Sequence, residues 1–120
     1  MTNQNQLDHA AGCIAASLGL QLGETMANPD SLAMGFENII WPCMDGSGEI
    51  AASIHLDCLL TQGTGSIRQY QTTGHAGQLL KQDQLTRFSE DLPRPEAIAR
   101  TRQAFCSWAA QFSPQAATAH

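Results

Sequence analysis

The run from Glu49 to Leu60 constrains this chain more than any other stretch. Ile50, Ala52, Ile54, Leu56, Cys58 and Leu60 take alternate positions, and Glu49, Ser53, His55 and Asp57 fill most of the places between them. Strict period two predicts a strand with one buried face and one wet face. Such a strand needs partners on both edges and a helical layer over its apolar side. Straight, its twelve residues would span about 40 Å, longer than most strands, which predicts a bulge or a bend.

The flanks supply the partners. Between Ala33 and Trp41, Phe36, Asn38 and Ile40 alternate with Gly35, Glu37, Ile39 and Trp41, so a first strand is predicted over about 33–41, ended by Pro42, which removes a ladder donor. Asp45-Gly46-Ser47-Gly48 is a hairpin signal leading into the long strand at about 49–60. Gln62-Gly63-Thr64-Gly65 reads as a second turn, and Ser66 to Thr73, with Ile67, Tyr70 and three threonine or serine neighbours, as a third strand at about 66–73.

Helices are read on both sides of this meander. Leu7, Ala11, Ile14, Leu18 and Leu22 recur at helical spacing, predicting a helix over about 6–20 with Asn5 as its cap and Asp8 in its first turn. Asn28-Pro29-Asp30 marks a turn after it. Leu79, Leu80, Leu85 and Phe88 are read as a short helix over about 76–88, although their angular spread is wide. Pro95 and Glu96 open a last helix over about 95–112. There Ile98, Phe105, Trp108, Ala109 and Phe112 share one arc, opposite Glu96, Arg100, Gln103, Ser107 and Gln111. The fold class is α+β: a three-stranded antiparallel meander covered by an N-terminal and a C-terminal helix, in one domain over 1–120 with frayed ends at 1–4 and 114–120.

Composition excludes some roles. A net charge of −5 with six Lys and Arg disfavours a nucleic-acid partner, and no run approaches membrane-spanning length. Cys13, Cys43, Cys58 and Cys106 are widely spread and lack metal-ligand spacing, so they read as reduced thiols of a cytoplasmic protein. Ala10 to Cys13 faintly resembles a lipoprotein cleavage box, but nothing apolar precedes it and no signal peptide is expected.

Three groupings could carry function. His55 and Asp57 project in one direction with Ser53, as a base or ligand pair, and the strand register decides whether Glu37, Arg68 or Tyr70 extends it. The plain alternative is an ordinary polar sheet face. Cys43, beside the Asp45-Gly46 turn, is the cysteine expected to be most exposed, and His75 is the base that would have to approach it. Finally Arg102, about 40° from Ile98 on the helical wheel, together with Trp108, Phe112, Trp41, Arg68 and Tyr70, offers candidate partner-binding residues.

Order of elements, size and acidic balance resemble type III secretion chaperones, small bacterial immunity proteins and phage- or plasmid-borne inhibitors as a class, without a shared motif. The resemblance implies no particular residue and weighs binding above catalysis. The expected function is a non-enzymatic protein-binding module acting by steric contact, the expected partners being another protein and a second copy in a homodimer. No cofactor and no metal is expected. The alternative is a small enzyme, or a ligand- or metal-binding protein, using His55 and Asp57.

Overall fold

The computed structural model describes residues 2–28, 34–70 and 77–112. Helix α1 (Gln4–Ser17) is followed by two short strands, β1 (Gln21–Leu22) and β2 (Met26–Ala27). Four long strands come next: β3 (Glu37–Met44), β4 (Ile50–Leu59), β5 (Gln62–Gln69) and β6 (Gln78–Arg87). Helix α2 (Arg94–Ala109) ends in a 3-10 turn, Ala110–Phe112. The sheet is antiparallel throughout in the order β1-β3-β4-β5-β6, and β2 shares the outer edge of β3 with β1. The α+β class holds, with six strands among the described residues where three were predicted.

Ala52, Ile54, Leu56 and Cys58 of β4 are buried as their alternation requires, at most 2% exposed, but Ile50 before the bulge and Leu60 in the turn, expected on the same face, are 52% and 70% exposed. Ile39, Trp41 and Cys43 of β3 and Ile67 of β5 continue that face. Leu7, Ala10, Ala11, Ile14 and Ala15 of α1 cover it together with Phe105, Trp108 and Ala109 of α2. Trp41 of the sheet stacks on Phe105 of α2 at 5.1 Å, and within the helical layer Trp108 meets Phe112 edge-on at 4.9 Å. The expected bulge lies at the start of β4, where the β3 register slips between Cys43 and Met44.

Pro42 lies inside β3 instead of ending it. Its carbonyl accepts from Gly23 at 2.7 Å on the outer edge, so its missing N–H falls on the side away from β4 and leaves that ladder complete. The predicted turn at 62–65 is also corrected. The chain reverses at Leu60–Thr61, between paired Leu59 and Gln62, and Leu60 takes a φ of 49°. Arg94 steadies this corner by donating to the carbonyls of Leu60 and, at 2.9 Å, Gly35.

Gly63 and Gly65 therefore sit within β5, directly beneath α2. A methyl group on Gly65 would lie 2.7 Å from the Trp108 ring, and one on Gly63 would overlap Thr101. The segment predicted as a helix over 76–88 is strand β6. Helix α1 is capped by Asn3 rather than Asn5, in a reciprocal box with Gln6. The hairpin at Asp45 forms as read: its carboxylate accepts from Ser47 and Glu49, and these bonds hold it below the usual carboxylate range. The turn at 28–30, the end of the third predicted strand and the C-terminal tail lie wholly or partly outside the described residues.

Candidate functional site

Alternation along β4 turns Ser53, His55 and Asp57 to the face without helices. Ser53 Oγ lies 2.7 Å from His55 Nε2 and 2.9 Å from Tyr70 Oη. Asp57 does not join them, because its carboxylate accepts from the Asn38 side chain. Burial lowers the His55 pKa, the Asp57 charge opposes that shift, and Arg68 adds to it. A neutral imidazole beside a hydroxyl is the arrangement of an activated nucleophile, but Ser53 is only 3% exposed and shares its oxygen with Tyr70.

Register decides which neighbours reach this row. Ser53 pairs with Arg68 and His55 with Ser66, so Arg68 and Tyr70 are adjacent as one of the sequence alternatives had them. Glu37 is excluded: it points to the helix face, where Arg102 grips it with Nε–Oε1 at 2.7 Å and a second guanidinium nitrogen on Oε2 at 2.5 Å. His55 and Cys58 lie on opposite faces, as period two requires.

The cysteines divide into two kinds. Cys43 is fully buried and desolvation pushes its thiol up to about 11, which corrects the expectation that it would be exposed. His75 lies outside the described residues. Cys13 and Cys106 are half-buried and line a groove of about 570 Å³ between α1 and α2, where burial also raises the Cys106 thiol. Among the described residues no three His, Cys, Asp or Glu side chains converge as ligands for a metal ion.

The candidate partner-binding residues separate by depth. Trp41 and Trp108 are core, 0% and 4% exposed, and Phe112 is half-buried against Trp108. Arg102 is spent on Glu37 and on the Thr2 carbonyl. Arg68 is exposed and donates to the Gly77 carbonyl at 3.1 Å, while Tyr70 is half-buried.

The structure adds a feature that the sequence reading missed, the outer edge of β6. Tyr70 N–H bonds Ala51 and Phe88 N–H bonds Thr61, so even-numbered residues of β5 address β4 and odd-numbered ones address β6. Gly65 and Ile67 therefore use the backbone groups of Asp83 and Lys81, their register partners, and Gln82 and Gln84 turn theirs outward. Among the described residues nothing pairs with that outer edge over the ten residues of β6. Beside it, β6 and α2 enclose a groove of about 690 Å³ lined by Lys81, Asp83, Gln84, Arg100, Gln103 and Ser107 among others. Lys81 Nζ lies 3.4 Å from Asp83, whose other bond, from Trp108 Nε1 at 2.7 Å, holds its carboxyl below the usual range.

The molecule thus belongs to the α+β class, with helices on one face of an antiparallel sheet and, among the described residues, one long edge of that sheet unpaired. In comparisons with known proteins, no family model, no curated protein and no solved structure matches the chain. Among the described residues no helix is long and apolar enough to cross a membrane.

Proposed function

We propose that this protein is a non-enzymatic binding module that takes a strand of another protein onto β6 and acts by steric contact, as an inhibitor, immunity protein or chaperone does. The observation that carries this reading is the outer edge of β6, unpaired among the described residues, with Gln82 and Gln84 presenting backbone donors and acceptors. Strand addition obtains affinity from such main-chain bonds and selectivity from flanking side-chain sites. Leu79 and Leu80, 44% and 53% exposed, and the groove against α2 supply those sites. Four unpaired cysteines favour the cytoplasm as its place of action.

Gln82→Pro tests the reading, since it removes an outward N–H while leaving the β5 ladder intact. Native mass spectrometry of the protein from its producing cells should show a bound protein chain, foreign or a second copy, that the folded variant loses. A wild type carrying no second chain, or a variant that retains it, rejects the reading.

The Ser53–His55 contact of 2.7 Å supports a second, catalytic reading in which Ser53 is the nucleophile and His55 its base. An alkyl fluorophosphonate should then label Ser53, and His55→Ala should abolish the labelling. An unlabelled wild type ends this reading.

A further inference from the structure

We propose that the strand accepted by β6 is the β6 of a second copy of this chain, paired antiparallel about a two-fold axis at Gln82. The inference rests on reading β6 as the docking edge and names its occupant. Two register shifts, at Gly63/Thr64 and Ile67/Arg68 on the facing strand, leave Lys81 to Gln84 as the regular part of the edge. An isologous antiparallel pair places its axis midway between one residue and that residue's own copy, which face each other.

The four possible centres in this stretch are not equivalent. An axis at Lys81 or at Asp83 sets two like charges directly opposite each other. An axis at Gln84 sets Lys81 against Arg87 of the second copy. With the axis at Gln82, Lys81 faces Asp83 of the second copy and Asp83 faces its Lys81, two opposite-charge pairs related by symmetry.

Backbone direction selects the same centre. Gln82 turns its N–H and C=O outward, so the two Gln82 residues form a hydrogen-bonded pair. The flanking Lys81 and Asp83 positions become non-hydrogen-bonded pairs, in which side chains approach most closely. A lysine in mid-edge ordinarily keeps sheets apart. Here Asp83, on the same face with its oxygen 3.4 Å from Nζ, offsets that charge within each copy and repeats it across the axis.

Charge-swapped variants test the register. Lys81→Asp makes both positions acidic, and Asp83→Lys makes both basic. By sedimentation velocity the wild type should dimerise, each variant alone should remain monomeric, and an equimolar mixture of the two should dimerise again. Circular dichroism and urea unfolding establish that each is folded, and Gln82→Pro, which leaves the Asp83–Trp108 bond in place, should also be monomeric. A monomeric wild type overturns the inference, as does a dimer that survives in the single variants or in Gln82→Pro. If the wild type is monomeric yet holds a foreign protein that Gln82→Pro releases, the docking edge stands and only its occupant is wrong.

Discussion

Arg102 and Glu37 form the one ion pair among the described residues with both side chains largely out of water, 18% and 3% exposed. The forked guanidinium satisfies both carboxylate oxygens, which raises the Arg102 pKa through its hydrogen bonds to Glu37. Breaking such a pair from one side leaves a buried charge without compensation. Arg102→Leu should therefore cost about 3–5 kcal/mol, and adding Glu37→Leu should recover most of the loss. Urea unfolding of the two variants checks this; a double variant no more stable than the single one would show that charge compensation is not what the pair provides. The sequence carried half of the signal: a cation inside the apolar arc of the last helix needs a partner. Glu37 was read as a possible neighbour of His55, although it alternates in phase with Ile39 and Trp41, the residues that define the buried face.

At the scale of elements, β5 and α2 approach each other because glycine lets them. With no side chain at Gly63 and Gly65, Thr101 and Trp108 rest almost on the strand backbone. Gly65→Ala should lower stability by about 1–3 kcal/mol in the wild type. In a Trp108→Leu background the same change should cost much less, because the two positions share one contact. Equal penalties in urea unfolding would refute that coupling. Glycine also misled the sequence reading, since G-x-G between apolar runs is a turn signal unless the helix pressing on it is known. A similar reason hid β6. Its leucines, glutamines, lysine and arginine are good helix formers, and its two register shifts spoil the alternation that identifies a strand. By contrast β4 and α2, buried against each other along regular faces, could be read from period alone.

For the molecule as a whole, the layer order and most of the core were legible, because burial imposes its period on sequence. Phe105 and Trp108 were read in the apolar arc of the last helix, whereas Trp41, read only as a partner-binding candidate, is the buried sheet residue that completes the aromatic bridge between sheet and helices. What could not be read is anything decided by register: the Ser53–His55–Tyr70 chain, the isolation of Asp57 beside Asn38, and the partner of Arg102. Strand pairing is a long-range choice, and a slip of one residue reassigns every such contact. The two sides of the sheet also differ in a way that bears on assembly. On β3, the short strands β1 and β2 already occupy the outer side, and Pro42 between their contacts has no N–H to offer. Among the described residues β6 carries the long unpaired edge, so two copies joined through it would have no second such edge to offer, and growth by that route would halt at a pair instead of running on as a filament.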